Sequence, residues 1–465
     1  MLTFKTLPRK NVNKIMDYVR LNKEKTCDYS HGAIFMWYDH FRYEYAIYND
    51  MLILKVGDKN SPTFFPPLGN GDFFDAVSQI EKYCIEKEFP IKFSFLSKST
   101  ADKLLERYKE YSVLSGFNRD FSDYVYNYDD VKNFKGKKYN GQRNHINNFK
   151  KAYPNYQYNN IERKDVPMLI EFLKEYKKDH KKMKGIEKNE YLNTVKLVEN
   201  YNPKNFVGGY IQVDGKTVAM SIGEYVGETL IIHVEKALVG YKGVYPTTFN
   251  EFVKHVEKDG VIYVNREDDS GDLGLRTSKM QYRPCFMIDK HYVKLNSFMK
   301  EFKKPTLKGE LVTLSPIKKT DAKNYYKLNV AVKNNKMWGF DYKKFNKNPT
   351  EDYFYKLQRD DFKNKFNLCL AIRENSSPDL IGEVILYKFD KQGNVEVGIR
   401  LFKKYQQKGY AKESLRLISA FVKEKLNLKI KARCFKNNYQ SKKLFENNGF
   451  ILNAEDEKYF YFEKI

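Results

Sequence analysis

A glycine-containing turn near the end of the chain carries the clearest chemical signal in this sequence. Residues 406–411 read Gln-Gln-Lys-Gly-Tyr-Ala, and they lie between an apolar, strand-like run at 395–401 and a helix-like run at 412–426. A tight turn with Gly409 and the small Ala411, opening a helix directly after a strand, points several backbone N–H groups at one spot. The positive end of the helix dipole points the same way. The turn therefore predicts a binding site for a pyrophosphate.

A second segment accompanies this turn. Asn438 and Ser441 follow the next predicted strand, and the pair Gly449-Phe450 comes after them. Together the two segments resemble the acyl-coenzyme A signature of the GNAT N-acetyltransferase superfamily, whose loop pattern is Gln/Arg-x-x-Gly-x-Gly/Ala. The resemblance covers residues 308–465 and points to the branch that acetylates the N-termini of ribosomal proteins, aminoglycosides or similar amines. It implies acetyl-CoA as the acyl donor.

The resemblance also implies which residues hold the coenzyme. In this superfamily the strand before the turn carries a bulge and parts from the next strand, and the thioester enters the opening beside a supporting backbone N–H. By position, Arg400 and Leu401 supply that backbone, and Asn438 and Ser441 contact the pantetheine side. The pyrophosphate would be held by Gln406, Gln407, Lys408, Gly409, Tyr410 and Ala411.

Two carboxylates on the predicted central strands are candidates for the catalytic base. Acyl transfer needs an amine placed against the thioester and a group that removes its proton, often through water. Glu396 is the first candidate and Glu383 the second; each could instead be a solvated strand residue. Many GNAT enzymes have a tyrosine acid seven residues after the asparagine, but here that residue is Phe445. The acid is left unassigned.

The first 297 residues show a different resemblance. The segments at 135–150 and 265–284, together with His233 and Glu235 in Ile-Ile-His-Val-Glu-Lys, resemble the catalytic domain of phosphatidylglycerol lysyltransferase and, more distantly, Fem-type peptidyltransferases. Those families are built from two GNAT-like domains in tandem and take an aminoacyl group from a charged tRNA. The resemblance implies acyl transfer to an amine or hydroxyl, with no metal.

The residues of these segments define a candidate site for the N-terminal module. Its members are Arg143, His233, Glu235, Arg276 and Lys279. Arg276 and Lys279 are spaced for one helical face after a glycine-rich turn, where they could bind a phosphate or carboxylate or could pair with neighbouring aspartates. His233 is either a catalytic group or a hydrogen-bonded core residue.

The charge balance favours anionic partners. The chain has 83 Lys and Arg against 59 Asp and Glu, a formal net charge of +24. Residues 132–184 concentrate this excess, with fifteen basic against five acidic residues. Such a segment could contact tRNA or an anionic lipid headgroup. The alternative is an ordinary solvated helix face in a lysine-rich protein.

Cysteine usage and hydropathy favour a cytoplasmic protein. The five cysteines are scattered and form no Cys-x-x-Cys pair, so neither a disulfide framework nor a zinc site is expected. The N-terminal residues contain no apolar signal core, and no run approaches the roughly 18 apolar residues that span a bilayer.

The order of predicted elements indicates a repeated architecture. Strands at 206–213, 217–226 and 229–235 precede a glycine turn at 240–245, a helix and a strand; strands at 368–373, 380–389 and 395–401 precede the turn at 406–411 in the same way. Tyr245 stands where a small residue is needed, so coenzyme A is not expected at the first of these turns.

We therefore expect an α/β (α+β) protein of three tandem GNAT-like units, each a largely antiparallel twisted sheet flanked by helices. The predicted domains are residues 1–125, 126–297 and 298–465. The expected activity is acetyl transfer to a primary amine by the last domain, with the N-terminal module recognising the substrate or performing a second acyl transfer. Two alternatives remain open: aminoacyl-tRNA-dependent transfer to a lipid or peptide, and a non-catalytic module that binds nucleic acid or an anionic membrane.

Overall fold

The computed structural model describes residues 2–21, 26–59, 61–87, 89–180, 183–331, 335, 337–338, 342–344 and 346–464. These form three mixed sheets flanked by helices, which confirms the predicted fold class. The chain divides into two compact units, an N-terminal unit of residues 1–104 and 115–294 and a C-terminal unit of residues 105–114 and 295–465. Among the described helices, none is long and apolar enough to cross a membrane.

The first sheet begins near the N-terminus and contains a parallel pair, between the strands that hold Phe64 and Phe93. In spatial order its strands are Lys5–Thr6, Glu44–Tyr48, Met51–Asp58, Ser61–Phe64, Lys92–Leu96, His291–Ser297 and Ser112–Phe117, and Leu68–Gly69 pairs with Met51–Asp58. The accompanying helices are Met16–Val19, His31–Met36, Tyr38–Phe41, Phe73–Glu86 and Lys98–Arg107.

The second sheet contains the predicted three-strand meander, and the hairpin turn at Asp214 and Gly215 has the positive φ angles that this turn requires. In spatial order its strands are Phe286–Ile288, Asp123–Asn127, Tyr263–Asn265, Thr229–Ala237, Lys216–Val226, Val207–Val213 and Gln157–Asn160. Its helices are Tyr128–Asn133, Asn140–Ala152, Val166–Asp179, Gly185–Glu199, Val244–His255 and Leu273–Gln281.

The third sheet lies in the C-terminal unit. In spatial order its strands are Leu307–Lys308, Val312–Pro316, Leu368–Glu374, Leu380–Tyr387, Asn394–Leu401, Lys429–Phe435, Tyr459–Lys464 and Phe450–Glu455. Its helices are Ala322–Val330, Glu351–Lys363, Tyr410–Phe421, continued by the π-helical Val422–Leu426, and Tyr439–Glu446. Short 3-10 turns elsewhere in the chain are Arg9–Ile15, Cys27–Tyr29, Arg119–Phe121, Lys137–Tyr139, Arg163–Asp165, Lys319–Asp321, Tyr342–Lys344 and Lys403–Tyr405.

Each sheet contains the same sequence of elements: a meander, a helix, and a strand that returns parallel to the meander's last strand. The parallel pairs begin at Phe64 with Phe93, at Thr229 with Tyr263 and at Asn394 with Lys429. The sheets do not follow the predicted boundaries at every point. Residue 125 lies inside Asp123–Asn127, and His291–Ser297, expected in the second domain, is a strand of the first sheet.

The helix after the Gly409 turn is held by apolar residues on one face. Leu415, Ile418 and Val422 are each buried and pack into a core that contains Val395 and Val397 of the last meander strand. Residues spaced at three to four positions form one helical face, so this pattern fixes the helix against the sheet. The turn that precedes the helix is thereby fixed at the end of the strand Asn394–Leu401.

Candidate functional site

The turn at residues 406–411, here called the Gly409 turn, is open. Gly409 has φ of 84° and caps the helix Tyr410–Phe421, and a Cβ placed on it would contact only Leu311 Cδ1 at 3.3 Å. Residues 406–409 are exposed. In the described part of the chain, the backbone N–H groups of residues 408–411 donate to no protein acceptor. Unpaired amides at a helix N-terminus form a site for an anion.

The two strands beside this turn part from each other. Asn394–Leu401 pairs with Lys429–Phe435 only from Asn394 to Glu396, so the remaining residues of the two strands diverge. This confirms the predicted opening. The predicted bulge is wrong: Asn394–Leu401 pairs with its antiparallel neighbour without a register shift, and the shift lies between Ile372 and Arg373 of another pair.

Glu383 lies buried on the strand Leu380–Tyr387, opposite Arg400 of the strand Asn394–Leu401. The guanidinium of Arg400 donates to Glu383 through Nη2 and through Nε at 2.6 Å, and the Tyr325 hydroxyl donates to the other carboxylate oxygen at 2.6 Å. Burial, followed by the Glu383 charge, raises the pKa of Tyr325 well above its ordinary value. Arg400 also donates to Asn329 Oδ1 at 2.7 Å. Glu383 is therefore fixed in a neutralised network.

Glu396, the first candidate base, lies at the last paired position before the strands diverge. Its carboxylate accepts hydrogen bonds from the Tyr387 hydroxyl, from Lys388 Nζ at 2.9 Å and from Arg433 Nε at 2.8 Å. The side chain is half-buried rather than solvated. Both candidate bases are thus held by cationic partners, and Glu396 is the one placed where the opening begins.

Glu413, in the first turn of the same helix, binds the start of the sheet. Its carboxylate accepts from three consecutive backbone N–H groups, those of Glu310 at 2.7 Å and of Leu311 and Val312 at 2.8 Å each. Burial raises the pKa of a carboxyl group, but these three donors hold the pKa of Glu413 below its ordinary value. The contact fixes Leu311, which lies against Gly409.

The remaining predicted coenzyme residues have local structural contacts. Asn438 caps the helix Tyr439–Glu446, because its Oδ1 accepts from the Ser441 backbone N–H at 3.2 Å. Gln406 Nε2 donates to the Leu401 carbonyl at 3.2 Å and so links the turn to the end of the strand. The structure therefore brings the Gly409 turn and Leu401 together, whereas Asn438 and Ser441 stabilise a helix end.

In the N-terminal module, all five predicted site residues are engaged by protein groups. Arg143 donates to the carbonyls of residues 134 and 136 and to Asn140 Oδ1. Glu235 accepts from Arg266 Nε at 2.9 Å. Arg276 pairs with Asp269 and Asp120, and Lys279 Nζ donates to the carbonyls of residues 266 and 268. Burial, followed by the Arg266 charge, lowers the pKa of Lys279.

His233 is the centre of a buried carboxylate–imidazole–carboxylate arrangement. Its Nε2 lies 2.8 Å from Glu224 Oε1 and its Nδ1 lies 2.7 Å from Glu267 Oε1. Burial alone would lower the pKa of His233, but the two carboxylates raise that pKa to about 9. Glu224 also accepts backbone N–H bonds from His31 at 3.2 Å and Gly32 at 2.5 Å. The imidazolium is therefore bound on both sides.

Gly32 is required by this arrangement. A Cβ on Gly32 would lie 2.3 Å from the His233 ring, which is closer than any side chain allows. Burial raises the pKa of a carboxyl group, but the hydrogen bonds from His233 and Gly32 leave the pKa of Glu224 below its ordinary value. Sequence reasoning identified His233 but missed its partners. Gly32 and Glu267 come from separate parts of the chain, whereas Glu224 lies on the neighbouring strand of the predicted meander and could have been found from that pairing.

The corresponding turn of the second sheet, residues 240–245 (the Gly243 turn), is covered. Gly243 has φ of 84° and caps the helix Val244–His255, but a Cβ there would lie 2.3 Å from the His145 carbonyl oxygen and 3.2 Å from Phe149 Cβ. The helix Asn140–Ala152 therefore lies directly on this turn. That coenzyme A does not bind at this turn stays a prediction, and the helix packed on the turn supports it.

One cluster of metal-ligand residue types is present in the described part of the chain, namely Cys27, Asp28 and Asp123. Lys290 Nζ lies 2.8 Å from Asp123, 2.9 Å from Asp28 and 3.3 Å from Cys27 Sγ. Burial opposes the charge on Lys290, but Asp123 and Asp28 raise its pKa well above the ordinary value. The ammonium group therefore occupies the place that a cation would take.

The third sheet, its parted strands and its open helix N-terminus define an acyltransferase domain of the GNAT type, and residues 312–451 match the family model "Acetyltransferase (GNAT) domain". Residues 19–294, more than half of the chain, match the model "Phosphatidylglycerol lysyltransferase, C-terminal". The chain belongs to this phosphatidylglycerol lysyltransferase C-terminal family.

The chain is also similar to three individual proteins. A conserved protein of unknown function from Bacteroides thetaiotaomicron has 26% identity and a TM-score of 0.60, over 64% of this chain and 100% of that one. The C-terminal domain of a putative lysylphosphatidylglycerol synthetase from Agrobacterium fabrum has 14% identity and a TM-score of 0.46, over 62% of this chain and 92% of that one. An uncharacterized N-acetyltransferase of Bacillus subtilis, YjdG, is 30% identical over 95 residues, 20% of this chain. That match spans 56%, little more than half, of YjdG.

Proposed function

We propose that the C-terminal unit transfers an acetyl group from acetyl-CoA to a primary amine. The observation that carries the proposal is the open Gly409 turn, whose unpaired amides lie at the end of a strand that parts from its neighbour. Amides aimed at one point bind the pyrophosphate, and the opening between the strands accommodates the thioester. The Gln406 contact to Leu401 keeps the turn and the opening in one fixed geometry.

In this proposal Glu396 accepts the proton from the attacking amine, directly or through one water. Glu396 lies on the same strand as Arg400, four residues away, and alternation along a strand places both side chains on one face of the sheet. The opposite face carries Val395 and Val397 and packs on the helix after the Gly409 turn. The amine therefore approaches the Glu396 face. Glu383 is the second candidate base, with its carboxylate already bound by Arg400 and Tyr325.

Substitution of the base tests this assignment. We expect Glu396→Gln to lower kcat for acetyl-CoA-dependent amine acetylation by about 100-fold, the usual contribution of a general base, with unchanged affinity for acetyl-CoA. The matched control is Glu455→Gln, because Glu455 also lies on the third sheet and pairs with a lysine at 3.3 Å, yet is exposed. Release of coenzyme A thiol with a panel of small amines and N-terminal peptides measures turnover. An unchanged kcat in Glu396→Gln would transfer the role to Glu383.

For the N-terminal module we propose recognition of the substrate or a second acyl transfer. The alternatives are aminoacyl transfer from a charged tRNA to a lipid or peptide, and a module that only binds nucleic acid or an anionic membrane. The basic segment, residues 132–184, gives limited support to the binding alternative. Several of its lysines pair with acids, including Lys132 with Glu257 and Lys150 with Glu251, and residues 181 and 182 lie outside the described residues.

Ionic strength distinguishes these possibilities. Binding that depends on phosphate contacts weakens steeply as salt rises from 50 to 200 mM, by roughly a thousandfold for six contacts. Acetylation of a small amine has no comparable dependence. We expect the affinity of the whole chain for tRNA or anionic vesicles to change little over this range, because the basic segment is partly neutralised. A steep salt dependence would support the binding alternative.

A further inference from the structure

The face of the third sheet that carries Glu396 also carries Gly398, which lies at the opening between the strands. Residues 396, 398 and 400 alternate onto one face of the strand Asn394–Leu401. Pairing with Lys429–Phe435 ends at Glu396, so Gly398 is the first residue of this face beyond the paired part. An amine that attacks a thioester in the opening from the Glu396 face therefore has to pass beside Gly398.

The indole ring of Trp338 covers Gly398. A Cβ built on Gly398 would lie 3.1 Å from Trp338 Cη2 and 3.4 Å from Trp338 Cζ3, so the ring occupies the space that a side chain at this position would fill. Ile385 lies opposite Gly398 on the neighbouring strand, and its Cγ2 would lie 3.0 Å from the same Cβ. Glycine inside a strand often marks such a close approach, and here it admits the indole ring.

Arg400 holds Trp338 in this position. The guanidinium carbon of Arg400 lies 4.4 Å from the centroid of the Trp338 ring, which is a cation–π contact. Arg400 Nη1 also donates to Asn335 Oδ1 at 2.5 Å, and the Trp338 backbone N–H donates to the Asn335 carbonyl at 3.0 Å. The buried ion pair with Glu383 fixes the guanidinium in turn. The network around Glu383 therefore supports the indole ring.

The indole ring is accessible to a ligand. Trp338 is half-buried, so part of its surface faces solvent. An aromatic side chain of this size offers a large apolar contact surface. Glu396 lies two positions from Gly398 on the same face of the sheet. An acceptor whose amine reaches Glu396 therefore has its neighbouring carbon atoms against the indole ring.

We propose that Trp338 determines which amines the C-terminal unit accepts, by contacting the carbon atoms next to the attacking nitrogen. The inference rests on the proposed acetyl transfer and names its acceptor class: primary amines on an unbranched carbon that carries an apolar group. A branch on that carbon would meet the ring, which Arg400 holds in place. One methyl group in a fixed apolar site changes transition-state binding by about tenfold or more.

Benzylamine and 1-phenylethylamine test the proposal on the full chain, because they differ by one methyl group on the carbon that bears the nitrogen. We expect kcat/KM for benzylamine to be about tenfold higher or more. Trp338→Ala should reduce this ratio about tenfold with unchanged affinity for acetyl-CoA, whereas Trp338→Phe, which keeps an aromatic ring, should preserve most of it. A ring that only stabilised the fold would lower the turnover of both amines equally. An unchanged ratio in Trp338→Ala would overturn the proposal.

Fluorescence detects acceptor binding without turnover. The chain has two tryptophans, so the Trp37→Phe protein reports on Trp338 alone. With coenzyme A bound, benzylamine should change the Trp338 emission in a saturable way, and the control protein Trp338→Phe should not respond. Calorimetry with acetyl-CoA separates two kinds of failure. Absence of acetyl-CoA binding would overturn the proposed function, whereas acetyl-CoA binding without a response of Trp338 to either amine would overturn this inference alone.

Discussion

The Gly409 turn and the Gly243 turn have the same backbone conformation and different surroundings. Both glycines have φ of 84°, both cap a helix, and both follow the last strand of a meander. At Gly243 the His145 carbonyl lies where a ligand would approach, whereas at Gly409 the nearest group is the end of the Leu311 side chain. A helix N-terminus becomes an anion site only where its amides remain accessible, so the element packed on the turn decides its use.

The second and third sheets, which contain these two turns' meanders, also differ in how they neutralise a buried carboxylate. In each, an acid on the second meander strand is bound by a cation on the third: Glu224 by His233 in the second sheet, and Glu383 by Arg400 in the third. Arginine keeps its charge at every ordinary pH, whereas histidine does not. We therefore expect the stability of the N-terminal unit to change with pH in a range where the stability of the C-terminal unit does not.

The largest expected effect concerns the open turn. Gly409→Val should weaken acetyl-CoA binding by a factor on the order of a thousand, because valine cannot adopt φ of 84° and its side chain would crowd the amides. Gly449→Val is the control, since Gly449 has φ of 78° in the same unit and lies in open space. Calorimetry with acetyl-CoA measures both. Equal losses in the two variants would mean that strain, and not the turn, controls binding.

The second prediction is that the free energies of unfolding of the two units depend differently on pH. The folded pKa of His233 is about 9, above its unfolded value near 6.5, so its stabilisation is complete below pH 6.5 and is lost as pH rises through 9. We expect the free energy of unfolding of the N-terminal unit to fall by about 3 kcal/mol over that range.

The chain offers a direct way to follow each unit. Its two tryptophans, Trp37 and Trp338, lie in different units. Trp338→Phe leaves a fluorescence reporter for the N-terminal unit, and Trp37→Phe leaves one for the C-terminal unit. In urea unfolding between pH 6 and 10, the loss of stability should be seen in the fluorescence of Trp37 alone. A parallel loss through Trp338 would contradict the difference between His233 and Arg400.

A smaller effect concerns the anchor beside the open turn. Glu413→Ala removes the acceptor of three backbone N–H groups, and we expect it to destabilise the C-terminal unit by about 2 kcal/mol. Because the pKa of Glu413 is lowered, its contribution is present above pH 4.5 and is lost as pH falls through the folded value. Urea unfolding of the Trp37→Phe protein measures both. If the C-terminal unit loses the same stability in acid with Glu413→Ala as without it, another carboxyl group is responsible for that loss.

The sequence was most informative where the signal is local. The meander strands and the helix after Gly409 follow from apolar spacing and turn residues, and the parting of the strands was implied by the resemblance to the GNAT superfamily; all three are present. The contacts of the candidate residues could not be read in this way. Arg276 meets Asp120, and His233 meets Glu267, only after segments that are distant in sequence come together in the fold, and the sequence pattern does not show which segments these are.

Glu413 illustrates a signal that was available but unused. An acidic residue in the first turn of a helix ordinarily stabilises the helix dipole. Here its carboxylate instead accepts the amides of residues 310–312, which lie about a hundred positions earlier. Its position four residues after Gly409 could have marked it as part of the turn, but its partners required the folded sheet.

Hydrogen exchange of the full chain with and without acetyl-CoA tests the central claim most directly. Amides that receive a pyrophosphate become protected, and those of residues 408–411 have no other acceptor in the described structure. We predict slower exchange at residues 406–412 on addition of acetyl-CoA and no change at residues 240–245. Protection at 240–245, or none at 406–412, would contradict the account.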